Sequence, residues 1–256
     1  MYAEERQQEI ANEVRARGRV AVADLAQRFD VTGETVRRDL GVLAQQGVLH
    51  RVHGGAVRPD VRTVGDEPDL EQREQSHLAA KTAIGIAAQT FLPPPGGSVI
   101  FDAGTTTLRA ALSVPGDRDL TVVTNAVPLA AHLSTLPGCD VTLLGGRLRR
   151  KTLATVGAST VAALNRLRAS VVFLGTNGLS LNHGLSTPDP EEAAAKSAMI
   201  AAANRVIVLA DSSKFNRELL VRFGRISDID AIVTDAGIDV PLAADLAALD
   251  IEVVIA

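Results

Sequence analysis

Val31-Thr32-Gly33-Glu34-Thr35-Val36-Arg37-Arg38-Asp39-Leu40, followed by Arg51-Val52-His53-Gly54-Gly55-Ala56, is the stretch that decides how this 256-residue chain is read. Thr32 suits a helix N-cap, because its hydroxyl can accept an otherwise unpaired backbone N–H. Glu34 falls in the first turn, where the helix dipole favours negative charge. Val36, Leu40 and Leu43 recur at i, i+4, i+7 and make one apolar seam. At about 100° per residue, Glu34, Arg37, Arg38 and Gly41 share the opposite, wet face. Gly47 is placed to end the helix as a left-handed residue.

Upstream, the pattern predicts a helix over 4–17 with Ile10 and Val14 inward, a break at Gly18, and a short strand at Val20-Ala21-Val22. A second helix is predicted over 24–29, with Leu25 and Phe29 on one face. Helix, helix, tight turn, helix is the helix-turn-helix unit, whose last helix enters the major groove. Residues 48–57, with Gly54-Gly55 as the turn, supply a β-wing. Arg37 and Arg38 are suited to phosphates or to the guanine O6/N7 edge. Arg51, His50 and His53 in the wing are placed for phosphate or the minor groove. Paired arginines on a helix face are usually only solvated charge, but here cap, turn, spacing and wing all agree.

This segment closely resembles the N-terminal domain of the DeoR family of bacterial transcription regulators. That family's pattern is a Ser or Thr cap, then Thr-Val/Ile-Arg-Arg-Asp-Leu, then Arg-Val-His-Gly-Gly-Ala. The resemblance implies a winged helix-turn-helix over 1–58 that reads operator DNA, with Thr32, Glu34, Thr35, Arg37, Arg38, Arg51 and His53 at the interface.

Bulk composition limits the partners. Residues 1–58 hold nine arginines against eight carboxylates, and the remainder is acidic, for a net charge of −4. Global charge therefore does not announce a nucleic-acid coat; local basic groups imply specific, salt-sensitive binding by a dimer. A single cysteine, Cys139, leaves no disulfide framework or thiolate metal site. The five histidines lack zinc spacing, so no metal and no cofactor are expected. A charged N-terminus and the absence of any apolar run near the ~20 residues that span a bilayer predict a cytoplasmic protein without membrane contact.

Residues 59–68 read as a linker, and 69–256 as a second domain opening with a helix over 69–91 closed by Pro93-Pro94-Pro95-Gly96-Gly97. Short β-rich runs follow at 99–102, 121–124, 141–144, 171–174, 206–210, 231–234 and 252–255, mostly separated by Ala-rich helices. Apolar strands alternating with helices predict an α/β domain whose mostly parallel sheet is covered on both faces. Ligands of such sheets bind beyond the strands' carboxyl ends. There the chain places Asp102-Ala103-Gly104-Thr105-Thr106-Thr107, Thr124-Asn125, Gly145-Gly146-Arg147, Gly175-Thr176-Asn177-Gly178 and Asp211-Ser212-Ser213-Lys214-Phe215. Hydroxyls at a helix N-terminus suit a phosphate. Each signal alone is weak: Glu192 and Lys196 at i, i+4 could be an ordinary helix pair, and Asp211 with Lys214 a surface one. Five such loops at one edge point to a small, polyhydroxylated anion. Residues 145–152 miss a nucleotide-binding loop, since Arg150 stands where its second glycine is needed.

These loops also resemble the DeoR sensor domain, which is similar in fold to ribose-5-phosphate isomerase. Carried over, Asp102, Gly104, Thr105 and Thr106 match its phosphate loop. Thr124, Asn125, Gly145, Gly146, Gly175, Asn177, the Glu192–Lys196 pair and the Asp211–Lys214 pair match the rest of its pocket; Arg147 adds charge beside them. The opening Met1-Tyr2-Ala3-Glu4-Glu5-Arg6 and the stretch Phe173 to Gly178 look most like the fructose-operon repressors, which implies fructose-1-phosphate as effector and a homodimer or higher oligomer. The rival reading is a sugar-phosphate isomerase-like enzyme with an accessory DNA-binding domain, drawing acid and base from Asp211, Glu192 and Lys214 or Lys196. A catalytically silent pocket fits a helix-turn-helix partner better.

Overall fold

The computed structural model describes residues 3–45, 48–52, 54–57 and 70–256, and within these the side chains at 4, 15–17, 19, 45, 50–52 and 57 are not described. The chain divides into two compact units, Met1–Thr63 and Val64–Ala256. The expected linker at 59–68, the helix end at Gly47 and the wing residue His53 lie outside the described residues.

In the first unit, α1 (Ala3–Arg17) leads to β1 (Arg19–Ala21), then α2 (Val22–Phe29), α3 (Gly33–Gln45), β2 (His50–Val52) and β3 (Gly55–Val57). Asp30 adopts the left-handed conformation (φ 51°, ψ 52°), and its N–H closes α2 on the carbonyls of Ala26 and Gln27, making the tight turn before α3. Ile10 and Val14 of α1, Leu25 of α2, and Val36, Leu40 and Leu43 of α3 meet in one core with Leu49 and Ala56. The apolar seam read along α3 is therefore its buried face.

The three strands pair antiparallel in the order β1-β3-β2. Val52 faces Gly55 in the register, so Gly55 belongs to β3 rather than to the turn read at Gly54-Gly55. Gly54 takes φ +79°, a conformation that favours glycine. Gly55 is needed for a different reason: a Cβ there would sit 2.1 Å from the carbonyl oxygen of Val20.

In the second unit the expected long helix is broken. It comprises α4 (Leu70–Gln75), α5 (Leu78–Ala87) and a 3-10 turn at Ala88–Phe91. His77 between the first two is left-handed (φ 54°, ψ 34°). The physical reason lies at Lys81, whose ammonium turns back to the carbonyls of Arg73 and Ser76, the latter at 2.6 Å. Carbonyls that a continuous helix would pair internally are capped by a side chain instead.

The chain then runs through β4 (Gly97–Phe101), α6 (Thr105–Leu112), β5 (Leu120–Thr124), α7 (Val127–Leu133), β6 (Cys139–Leu143), β7 (Arg147–Arg149), β8 (Ala154–Val156) and α8 (Ala158–Leu164). It continues with β9 (Ala169–Gly175), β10 (Gly178–Ser180), β11 (Gly184–Thr187), α9 (Pro190–Ala201), β12 (Ala203–Leu209), β13 (Val221–Gly224), β14 (Ala231–Thr234), α10 (Val240–Ala247) and β15 (Glu252–Ile255).

The seven β-rich runs read from the sequence are the seven strands of one sheet, ordered β15-β14-β12-β9-β4-β5-β6 and parallel throughout. Alternate residues feed opposite layers. Val99, Phe101, Val171, Phe173, Ile207 and Leu209 pack against α5, α6 and α7. Ile100, Val123, Val172, Leu174 and Val206 pack against α8 and α9. Phe101 and Phe173 stack at 5.1 Å across neighbouring strands. Two small antiparallel additions, β7-β8 and β10-β11-β13, were not foreseen.

Candidate DNA interface and ligand crevice

On α3 the oxygen of Thr32 accepts the Thr35 N–H at 3.2 Å, so the cap forms as read. Arg37 and Arg38 are exposed, and Val36, Asp39 and Leu40 are buried. Arg37 pairs with Glu34 at 3.2 Å on that open face, an exposed contact of small energy. Thr32 and Glu34 are also exposed and Thr35 half-buried. Asp39 takes the opposite role: it accepts from Arg6 Nε at 2.6 Å and Gln7 Nε2 at 2.9 Å, both on α1. The motif's acidic residue thus anchors the helix, while its arginines project. Arg51 lies in β2, and its side chain is outside what is described.

In the second unit the strand order reverses at β4. Its successor β5 lies on one side and β9 on the other, and in open α/β sheets the carboxyl edge at such a reversal is where a ligand crevice forms. Asp102 follows β4 and Gly175 ends β9. Asp102 Oδ2 accepts the Gly175 N–H at 2.9 Å and an ion pair from Lys196, whose ammonium also donates to the Gly175 carbonyl at 2.9 Å. Asp102 and Lys196 are almost fully buried. A buried carboxylate locked by an ammonium and an amide is a fixed fastener between the two divergent strands, not a base in waiting.

From Asp102 the chain enters α6 through Gly104. Thr105, Thr106 and Thr107 form its first turn, and no side chain caps its N-terminus. Thr107 Oγ1 turns back to the Gly104 carbonyl at 2.9 Å. The free amides of that turn give the crevice a positive end suited to an anion.

Thr124 and Asn125 hold this loop from β5. The Thr124 hydroxyl donates to the Phe101 carbonyl at 2.7 Å and accepts the Ala126 N–H at 3.0 Å. Asn125 accepts the Ala103 N–H and donates to the Thr155 carbonyl, each at 3.1 Å. Both side chains are buried and engaged with backbone, so their geometry positions the Asp102–Thr105 loop. Gly146, at φ +147°, lies so close to Thr160 that a Cβ would stand 2.3 Å from its hydroxyl. Gly145 faces open space, and its carbonyl accepts from Thr160 at 2.8 Å. The half-buried Asn177 continues the backbone from Gly175, its N–H reaching the Ser186 carbonyl at 3.3 Å.

Glu192 and Lys196 do not pair with each other. Glu192 accepts from Thr152 Oγ1 at 2.6 Å, Arg149 Nη1 at 3.3 Å and Thr187 Oγ1 at 3.4 Å, while Lys196 goes to Asp102. One helix face thus contributes to two separate clusters. Arg149 is buried and also reaches Asp189 at 3.0 Å, so it is a structural cation rather than a solvated one. Asp189 caps α9 by accepting the N–H groups of Glu191 and Glu192, both at 3.0 Å. Burial alone would raise its pKa; those amides and the Arg149 guanidinium outweigh burial and hold it below the usual carboxylate value. Arg147 is exposed and pairs with Glu191.

After β12, Asp211 is wholly buried; its Oδ1 accepts the Ser213 N–H at 3.2 Å and the Ser213 hydroxyl. Its Oδ2 has no hydrogen-bond partner among the described residues and lies 3.6 Å from Lys214 Nζ. Behind it, Asp235 receives the Ser212 N–H at 2.6 Å and hydroxyl at 2.9 Å; burial works against ionisation there, and these bonds outweigh it, lowering the pKa. Thr152, Asp189, Asp235 and Lys81 were not singled out as site residues from the sequence. Burial raises the pKa of the Cys139 thiol, which does not favour a nucleophile. Among the described residues no acidic, histidine or cysteine cluster could hold a metal ion, and no helix is long and apolar enough to cross a membrane.

A winged helix-turn-helix carried on the same chain as a parallel α/β unit defines a DNA-binding regulator with a sensor domain. The comparisons make the class specific. Residues 6–62 match the DeoR-like helix-turn-helix domain and 76–236 match the DeoR C terminal sensor domain. The chain belongs to the DeoR family of transcriptional regulators. It is 39% identical over 219 residues to the HTH-type transcriptional regulator GlpR of Haloferax volcanii, covering 86% of this chain and 84% of that one. It is 36% identical to the uncharacterized HTH-type transcriptional regulator FruR of Bacillus subtilis, with 92% of each chain covered. The glycerol-3-phosphate regulon repressor of Escherichia coli K12 is 32% identical, with 87% of each covered. The ribose 5-phosphate isomerase A of Methanocaldococcus jannaschii overlays 56% of each chain at 13% identity with a TM-score of 0.41, a likeness too distant to speak to chemistry.

Proposed function

We propose that this protein represses a sugar-utilisation operon and leaves its operator when a phosphorylated sugar binds beyond β4 and β9. The uncapped first turn of α6 at the reversal of strand order carries this reading. It offers backbone amides and the Thr105 and Thr106 hydroxyls to a phosphate, beside Gly175 and Asn177. Lys214 and Arg147 add positive charge at the neighbouring loops, while Asp211 offers an acceptor for sugar hydroxyls. Thr124, Asn125, Gly145, Gly146, Glu192 and Lys196 serve by holding these loops in place.

Arg38, Arg37 and Thr35 read the operator from α3, with Arg51 and His53 supplying wing contacts. A homodimer assembled through the α/β unit places two such helices on half-sites roughly 34–36 Å apart or a multiple of that. Ligand binding shifts the population toward a state in which the two helices no longer match those half-sites, a coupling of about 1–3 kcal/mol.

Fructose-1-phosphate is the best-supported effector: the opening residues and the Phe173–Gly178 stretch resemble fructose-operon repressors, and the relative from Bacillus subtilis is named FruR. Relatives named for glycerol 3-phosphate make that the second compound to try. Calorimetric titration with fructose-1-phosphate, fructose-6-phosphate and glycerol 3-phosphate tests the assignment. Saturable binding of fructose-1-phosphate, tighter than the other two, is expected. Binding of none of them would overturn the crevice as a sugar-phosphate site.

A further inference from the structure

The helix α4 is the first element described after residues 58–69, and it buries none of its six side chains completely. Its packing therefore does little to fix its position. One buried tie to the sensor unit is Lys81, a residue of α5 that is only 2% exposed. Two of the three ammonium donors go to the backbone carbonyls of Arg73 and Ser76 at the C-terminal end of α4.

The helix that carries Lys81 packs closely on α6. Gly85, one turn further along α5, sits so close to α6 that a Cβ would lie 2.6 Å from the backbone carbon of Arg109. Gln89 Nε2 bridges the carbonyls of Gly85 and Ala110 at 2.8 and 3.0 Å. Thus α5 and α6 pack as a close pair, and Lys81 is a buried side chain that joins α4 to it.

The charges around that side chain are unbalanced. Lys81 feels Asp211 as its attractive partner, with Lys214, Arg73 and Arg109 as like charges, and burial lowers its pKa to about 8. Asp211 is the same residue whose Oδ2 lacks a hydrogen-bond partner among the described residues. An incoming anion would add negative charge to a cluster in which three cations surround Lys81 and Asp211, and a charged hydrogen bond is stronger than one to a neutral carbonyl.

We propose that Lys81 couples the crevice to α4: its ammonium holds the α4 carbonyls when the crevice is empty and turns to the anion when it is filled, releasing α4. This rests on the crevice being the sugar-phosphate site. It adds a positioning residue that transmits occupancy to the segment leading from the DNA-binding unit.

The test uses the full-length protein, with fructose-1-phosphate and inorganic phosphate as probes. In the wild type, either bound probe should speed amide exchange in the peptide covering 70–77 at least threefold, leaving α5 and α6 unchanged. Lys81→Met should already exchange fast there and gain nothing from the probe. At saturating fructose-1-phosphate the wild type should lose at least tenfold in operator affinity. Lys81→Met should lose less than twofold while calorimetry still registers binding, and Lys81→Arg should recover part of the response.

If Lys81→Met reached full release at a higher concentration, Lys81 would be a simple ligand and the coupling role would fall. Unchanged exchange at 70–77 in the probe-bound wild type would overturn the proposal even if the variant failed to fold, and the crevice reading would survive. Absence of binding to the wild type would overturn both.

Discussion

Arg6 Nε on α1 lies 2.6 Å from Asp39 Oδ2 on α3, with both side chains more than nine-tenths buried. Gln7 Nε2 completes the carboxylate at 2.9 Å. This contact orients α3 so that the two preceding arginines point outward. Arg6→Met would leave a buried carboxylate without its cation, at a cost of about 3–5 kcal/mol. Urea unfolding of the first unit should move to lower midpoint, and operator affinity should fall with it. An unchanged midpoint would show that Asp39 is not held in this way.

Arg38 is exposed, and Arg37 already pairs with Glu34. Arg38→Ala should therefore lose about 1–3 kcal/mol of discrimination between operator and random duplex, with thermal stability and sugar-phosphate affinity unchanged. Fluorescence anisotropy on both duplexes measures the ratio; an unaltered ratio would move the reading face elsewhere on α3.

In the crevice, Thr105→Ala combined with Lys214→Ala removes one hydroxyl donor and one cation without unpairing the Asp102–Lys196 fastener. The double variant should bind operator normally and ignore sugar phosphate at concentrations that empty the wild type. Lys196→Met should behave differently, because it strands the buried Asp102 and destabilises the whole unit by about 3 kcal/mol or more. Melting curves of the two variants separate ligand contact from scaffold.

Stability should respond to pH at both ends. Asp189 and Asp235 ionise below the usual carboxylate value in the fold. Their stabilisation is full above the unfolded value of about 3.9 and is lost as pH falls through the folded one. Lys81 works with the opposite ion. Burial favours its neutral form, so between its folded value of about 8 and the unfolded value near 10.4 the unfolded chain binds the extra proton. Stability attributable to Lys81 therefore rises across that window. Urea midpoints at pH 7 and 9 should show the wild type gaining relative to Lys81→Met; equal changes would contradict the assignment.

Much of this architecture is legible in the chain itself. Thr32, the Val36-Leu40-Leu43 seam and the seven apolar runs each combine a local signal with a burial pattern, and local signals survive folding. The antiparallel pieces such as β7 and β10 escape notice because three residues are too few to show a period. Glu192 and Lys196 show why spacing alone misleads at a site. Their separation by four makes them possible neighbours, but Thr152 and Arg149 arrive from about 40 residues away and Asp102 from 94, and those partners win. Lys81 in an Ala-rich helix looks like surface charge until the break at His77 brings the end of α4 over it. The DNA-binding helix is local in sequence; the crevice is assembled from loops that only the parallel sheet brings together.

The most direct test of the account is anisotropy of a labelled operator fragment bound to the full-length protein at fixed salt, titrated with a panel of sugar phosphates. Release by one phosphorylated sugar, fructose-1-phosphate, is expected, with the others inert at the same concentration. Tight operator binding that no sugar phosphate disturbs would contradict it.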